Sequence, residues 1–236
     1  MPVGFLGLGI MGRQMAGVLL KKGVDLVVWN RSVKATEPLV AMGARAAKSP
    51  AEVVDACETT HVMLADPVAS LAVVFGAGGV LESTRRGYAY IDHSTIDEAT
   101  GEKIFKGLHQ HGAKFLHAPV SGGWRDAAKG ELLFIAGGDR ALFEAATAPG
   151  TPMAAMGHKH WLVGETPQEA ARAKLMLQVM MGSMVASLSE TMALASHAGI
   201  DPAQVLDMFN HSAMANPLLA AKGKLMLTVR GSDEGF

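Results

Sequence analysis

A single cysteine, Cys57, in 236 residues excludes an internal disulfide and leaves no thiolate cluster for a metal, a usage that suits a reducing compartment. The histidines, His117, His158 and His160 among them, lack ligand spacing with carboxylates or thiols, so no metal is expected. An excess of either charge is missing too. Lys and Arg number 21 against 22 Asp and Glu, a formal net charge of −1, and no basic block interrupts the chain. Nucleic acid and anionic membranes therefore have no electrostatic support as partners, and small ligands are expected instead. The most apolar stretch, 167–199, is no membrane span, because Gln178, Ser183, Ser187, Ser189, Glu190 and Thr191 fall near its middle. The first strand begins at Val3, which leaves no room for a leader and makes the cytoplasm the expected location. What the chain does have is apolar bulk: 49% hydrophobic residues, enough for one large domain or two modest ones.

The apolar strand Val3–Leu6 runs straight into Gly7-Leu8-Gly9-Ile10-Met11-Gly12, a G-x-G-x-x-G turn. Gly7 lets the chain turn off the strand, Gly9 lets the backbone approach a pyrophosphate, and Gly12 lets the next helix pack on the sheet. The helix then begins at the phosphates, with its free N–H groups and positive dipole end facing the anion. Met11, Met15, Val18 and Leu19 have amphipathic helical spacing, Gly23 ends that helix, and Leu26–Trp29 forms a second buried strand. At its tip an acidic residue would bind the ribose hydroxyls of NAD. Here Asn30 is neutral, and Arg31, 19 residues beyond Gly12, supplies a cation for a 2′-phosphate, with Ser32 beside it. The expected cofactor is NADP(H).

Further strand-like runs at His61–Leu64, Tyr88–Ile91, Lys114–His117 and Leu132–Ala136 alternate with helical patterns, which implies an α/β fold with a doubly wound, mostly parallel sheet. Ser49-Pro50 reads as a helix start, and Asp97 as the cap of a helix running toward His111. Asp92-His93-Ser94-Thr95 therefore lies at a strand's C-terminal end, the edge where open α/β sheets bind ligands. Ala118-Pro119-Val120-Ser121-Gly122-Gly123 offers backbone N–H groups and a hydroxyl that suit a carboxylate, although such a turn taken alone reads more readily as an ordinary glycine loop. From Thr147 to Gly164 the sequence reads as irregular and marks a boundary. Beyond it everything reads as helical: a long Met-rich helix from Pro167 to Gly199, a second from Asp201-Pro202, and a third from Asn216-Pro217. The expected domains are a Rossmann domain over 1–164 and an all-helical one over 165–236.

Four stretches in the same order resemble the β-hydroxyacid dehydrogenase family: Gly4–Gly12, Asp92–Thr95, Ala118–Gly123, and Lys174 on a long helix. Within it, Val28–Ser32, Gly78–Glu82, Met181–Met184 and Met214–Pro217 are most similar to the plant-type glyoxylate/succinic semialdehyde reductases. The resemblance implies hydride transfer between the nicotinamide and a carbonyl carbon that has a carboxylate nearby. It also implies a Rossmann domain followed by an all-helical domain, and a homodimer or tetramer formed through the latter. By position, Ser121, Gly122 and Gly123 would hold the substrate carboxylate, Thr95 would lie at the nicotinamide end, and Leu64, Ala65 and Asp66 would line the cofactor. Lys174 would be the general acid, a role that fits an ammonium placed where negative charge develops.

The chain departs from the family pattern in two places. Glu165, Gln168 and Ala170 stand at glycine positions ahead of Lys174, and Gln178 replaces an asparagine, one turn on and on the same helix face. The family continues beyond the equivalent of Phe236, so Leu218, Leu219, Leu225, Met226 and Leu227 are expected to lack partners. The expected activity is reduction of a small aldehyde acid such as glyoxylate or succinic semialdehyde. Alternatives are a 3-hydroxyisobutyrate or tartronate semialdehyde enzyme, or a non-catalytic NADP-binding assembly module.

Overall fold

The structure, a computed structural model, describes residues 1–229. Nine strands form one sheet: β1 (Val3–Leu6), β2 (Leu26–Trp29), β3 (Arg45–Ala46), β4 (Thr59–Val62), β5 (Ala89–Asp92), β6 (Lys114–His117), β7 (Val120–Ser121), β8 (Leu132–Gly138) and β9 (Gly157–Gly164). Their order is β3-β2-β1-β4-β5-β6-β8-β7, with β9 paired to β8. From β3 to β6 all pairs are parallel, β8 lies antiparallel to β6 and β7, and β9 runs parallel to β8.

The helices between them are α1 (Ile10–Lys21), α2 (Glu37–Val40), α3 (Pro50–Ala56), α4 (Pro67–Phe75), α5 (Val80–Ser83), α6 (Glu98–Gln110), α7 (Trp124–Lys129), α8 (Arg140–Thr147) and α9 (Pro152–Met156). Three more follow: α10 (Pro167–His197), α11 (Pro202–Asn210) and α12 (Pro217–Val229). Side chains at the helix starts fix where they begin. Ser49, Asp66, Asp97, Asp139 and Thr151 each accept the N–H three residues on, and Pro50, Pro67 and Pro152 occupy positions where no N–H is needed.

The sheet separates two cores, because alternate strand residues point to opposite faces. Phe5, Leu26 and Val28 join Met15 and Leu19 of α1 and Met153 and Met156 of α9 on one side. Leu6 and Val27 join Val53 and Val54 of α3, Val74 of α4 and Ile104 and Leu108 of α6 on the other. Burial on both faces explains why β1 and β2 read as unbroken apolar runs.

Within the sheet, two details differ from the sequence expectations. The third and fourth strand runs lie earlier and later than expected, at Thr59–Val62 and Ala89–Asp92, because pairing of β4 with β1 and of β5 with β4 sets their register and apolarity does not. The 147–164 stretch, expected to be irregular, instead forms α9 and β9. The polar Gly157-His158-Lys159-His160 run gives no strand signal of its own, and backbone pairing with β8 makes it one.

The chain divides into two compact units, one spanning Met1–Lys174 and the other starting at Leu175. The first two turns of α10 thus belong with the sheet. In the second unit, Leu188, Met192 and Leu206 form a small core. Leu219, Met226 and Leu227, expected to lack partners, pack against it, whereas Leu225 stays exposed. No helix among the described residues is long and apolar enough to cross a membrane.

Candidate functional site

β1 ends at Leu6 and the chain turns at Gly7, whose φ of +90° is strained for any residue with a Cβ. A Cβ on Gly12 would strike the Gly7 carbonyl, so the two glycines let the turn and α1 close on one another. Gly9 caps α1, and a Cβ there would meet no atom of the described residues within 4 Å. The start of α1 has no side-chain cap and no acidic residue in its first turn, which leaves its N–H groups and positive dipole end free for an anion.

Asn30 has a role that its position at the tip of β2 does not reveal. Its Oδ1 accepts the Leu8 N–H at 2.9 Å and its Nδ2 donates to the Ser32 carbonyl at 3.0 Å, so this amide fastens the glycine turn to the end of β2. An aspartate could make only the first of these bonds.

A cleft of about 500 Å³ opens at these strand ends. Of the residues expected at the cofactor, Gly7, Gly9, Ile10, Met11, Gly12, Asn30, Arg31, Ser32, Leu64, Ala65 and Thr95 wall it. Leu8 is buried, and Asp66 is used as the cap of α4, accepting the Ala69 N–H at 2.7 Å. Met63, Ala69 and Ala72 also wall the cleft. Their signal in the sequence was adjacency: Met63 precedes Leu64, and Ala69 and Ala72 share a face of α4. The cleft lies where strand order reverses, between β1 and β4, the place where such sheets bind dinucleotides. Its glycine floor, bare helix end and Arg31 guanidinium fit a dinucleotide bearing phosphates.

Beside the cleft, Ser94 stitches two strand ends together. Its hydroxyl accepts the Leu64 N–H at 2.9 Å, and its own N–H donates to Asp92 Oδ1 at 2.9 Å. Behind it lies a pair of buried imidazoles. His93 Nδ1 lies 3.0 Å from the Ala118 carbonyl, which can only accept, so that nitrogen bears the proton, and His93 Nε2 accepts from His61 Nδ1 at 2.9 Å. Burial pulls His93 down to about 4 and His61 well below the ordinary histidine value, so both are neutral.

This pair makes stability depend on pH with a definite sign. Above about 6.5 both rings are neutral whether the chain is folded or not. Below it the unfolded chain takes up protons first, so stability falls as the pH drops toward 4, by up to about 1.4 kcal/mol per unit for each ring. Burial raises the Asp92 carboxyl and acts in the opposite sense. The test is therefore a difference: urea unfolding should show His93→Asn less stable than wild type at pH 7, with the gap narrowing toward pH 4.5. A gap that holds constant with pH would refute the neutral pair.

Ser121 ends β7, opposite Leu133. Gly122 has φ +130°, and the Gly123 N–H already donates to Asp126 Oδ2 at 2.6 Å, which leaves Ser121 and Gly122 to meet a ligand. Lys174 is 8% exposed, and its ammonium makes no hydrogen bond or ion pair among the described residues. Desolvation draws it below the ordinary lysine value. Gln178, one turn further on, is half-buried and belongs to the second unit.

The local fold at the start of α10 explains the missing glycines. Thr166 and Glu169 form a capping pair, with Glu169 Oε2 accepting both the Thr166 N–H and its hydroxyl at 2.9 Å. The close approach is supplied from the other side, by Gly137 of β8, whose Cβ would lie 3.0 Å from the Ala170 nitrogen. The spacing T-x-x-E was a legible signal for this cap. The glycine partner on another strand was not.

The class these features define is the nicotinamide-dependent oxidoreductase built on a doubly wound sheet. The profile of the NAD-binding domain of 6-phosphogluconate dehydrogenase matches residues 2–164, and that of the NAD-binding domain of NADP-dependent 3-hydroxyisobutyrate dehydrogenase matches residues 169–236. The chain belongs to the 3-hydroxyisobutyrate dehydrogenase-like β-hydroxyacid dehydrogenases, NAD(P)-dependent oxidoreductases of hydroxyacids and aldehydes. It is 42% identical to glyoxylate/succinic semialdehyde reductase 1 of Arabidopsis thaliana, over 96% of this chain and 77% of that one. Among solved structures it resembles the 3-hydroxyisobutyrate dehydrogenase of Salmonella typhimurium, with a TM-score of 0.85 at 29% identity over 98% of this chain and 79% of that one. Psf3, solved with NADP+ and 2-OPP, matches with a TM-score of 0.87 at 25% identity, over 96% and 79% of the two chains.

Proposed function

We propose that the protein is an NADPH-dependent reductase of small aldehyde acids of the glyoxylate or succinic semialdehyde kind. The observation that carries this reading is a buried lysine, Lys174, whose ammonium has no partner among the described residues, in the same unit as a dinucleotide cleft whose second-strand tip bears Arg31. The 42% identity to a plant glyoxylate/succinic semialdehyde reductase supports the substrate class. When bound, the nicotinamide would supply the hydride. The bare end of α1 holds the pyrophosphate, and Arg31 and Ser32 hold the 2′-phosphate. Ser121 and Gly122 bind the substrate carboxylate, and Thr95 borders the reacting end. Lys174 gives its proton to the carbonyl oxygen as negative charge develops there, an interaction stronger in the transition state than with the neutral carbonyl.

A panel of aldehyde acids, assayed by NADPH oxidation at saturating cofactor, tests the reading, and turnover of none of them overturns it. For Arg31→Ala the expected result is a 10- to 100-fold loss of kcat/KM with NADPH, roughly the worth of a charge-assisted hydrogen bond, and little change with NADH. Equal losses with both cofactors would remove the 2′-phosphate role.

The exposed Met176, Val179 and Met180 on α10 support a homodimer formed through the helical region. The single, buried Cys57 suits the cytoplasm.

A further inference from the structure

His117 ends β6 and is fully buried, yet the neutral imidazole pair beside it does not include it. Its Nδ1 lies 3.0 Å from the Pro167 carbonyl and its Nε2 lies 3.1 Å from the Ser94 carbonyl. Both partners are backbone oxygens that can only accept. A neutral ring has one N–H, so only the imidazolium satisfies both bonds at once.

The counter-charge is in place. Asp92 is the register partner of His117 on β5; its Oδ1 takes the Ser94 N–H, and its buried Oδ2 has no hydrogen-bond partner among the described residues. A buried cation with no acidic group nearby would be costly; burial raises the Asp92 carboxyl, and a charged His117 pulls it back toward the ionised form, so the two groups favour each other's charge. The other elements packed here bring one further cation, Lys174, and no unpaired carboxylate among the described residues. The α6 helix presents Gly101, whose Cβ would lie 4.0 Å from Nδ1, while its Glu98 and Glu102 are paired with Arg172 and Lys106. Phe115 stacks at 6.4 Å, and His93, on the loop after β5, donates to Ala118. The start of α10 contributes the half-buried Gln168 and the ammonium of Lys174.

The two oxygens that His117 joins belong to different parts of the site. Ser94 precedes Thr95 on the wall of the cleft, and its hydroxyl holds Leu64 on the same wall. Pro167 is the first residue of α10. Pro167, Ala170, Ala171 and Lys174 form that helix's buried stripe at spacing i, i+3, i+4, i+7, so Lys174 lies on the face of Pro167 about 10 Å along the axis.

We propose that His117 is a positioning residue: as a buried imidazolium it ties the first turn of α10, and with it Lys174, to the Ser94–Thr95 end of the cofactor cleft. The inference rests on the reading of Lys174 as proton donor. It adds a second requirement for turnover, protonation of a residue that touches neither substrate nor cofactor.

Two substitutions separate the two bonds, because asparagine places an amide N–H near where Nδ1 stood and glutamine places one near where Nε2 stood. His117→Asn keeps the bond to Pro167 and should lower kcat about 10-fold. His117→Gln frees the helix start and should lower kcat about 100-fold, the order of loss that a displacement of about 1 Å produces. In both, the NADPH dissociation constant should stay within about threefold of wild type, since the cleft's phosphate-binding end is untouched. Nitrogen-15 NMR of the wild-type ring should show both nitrogens protonated at pH 6.5 in the folded protein. A neutral ring at that pH, wild-type kcat in both variants, or losses of kcat that merely follow losses of thermal stability and NADPH binding would overturn the proposal. If no aldehyde acid is turned over by the wild type, the reductase reading fails, and the clamp is then decided by the ring spectrum alone.

Discussion

Replacing Lys174 by methionine is expected to lower kcat for aldehyde-acid reduction about 10³-fold while leaving NADPH affinity unchanged, the range associated with loss of a positioned general acid. Methionine has nearly the reach and none of the charge. The wild-type side chain is buried with no partner among the described residues, so its ammonium destabilises the folded chain, and the variant should melt at the same temperature or higher. Loss of rate joined to unchanged or greater stability distinguishes a working acid from a packing residue. Arginine should not rescue, because a guanidinium does not give up its proton. The pH profile has a definite sign too. Desolvation lowers the lysine from its ordinary value, so reductive turnover should fall with rising pH, starting earlier than for a lysine in water. Steady-state rates, calorimetry with NADPH and thermal melts together check this. A kcat within a few-fold of wild type would end the assignment.

A comparably large effect is expected from Gly12→Ala. The added methyl group would run into the Gly7 carbonyl and crowd the Phe5 ring. Backbone cannot yield as a flexible side chain can, so the turn and α1 must separate, at a cost of about 1–3 kcal/mol or more. NADPH affinity should fall at least about 100-fold, because the phosphate site is the geometry of that turn. Gly9→Ala is the informative companion. Its methyl group meets no atom of the described residues within 4 Å, so the melting temperature should hold while the same group enters the space a pyrophosphate needs. Calorimetric titration and melting of both variants separate damage to the turn from obstruction of the ligand. If Gly9→Ala binds NADPH as wild type does, the phosphates do not pass over Gly9.

Much of this was legible in the chain itself, where the signal is local. The glycine turn, the tip of β2, the caps at Ser49 and Asp97 and the long helix from Pro167 each rest on residues within a few positions of one another. β9 was not legible, since its polar residues become a strand only through pairing with β8. Nor was the work of Asn30, whose position marks it only as a neutral ribose-side residue, because its partner Leu8 lies 22 positions away.

By itself the sequence determined the dinucleotide turn, the cation at Arg31 and the order of motifs ending in Lys174, because steric freedom, charge and short-range hydrogen bonding belong to residues and their neighbours. Only the tertiary structure decided that Lys174 is buried without a partner among the described residues, that Gly137 takes over the close approach to α10, and that His117 bridges Ser94 and Pro167. Those outcomes depend on groups 23 to 50 positions apart being packed where water is excluded, and the energy of a charge or a hydrogen bond is set by its surroundings.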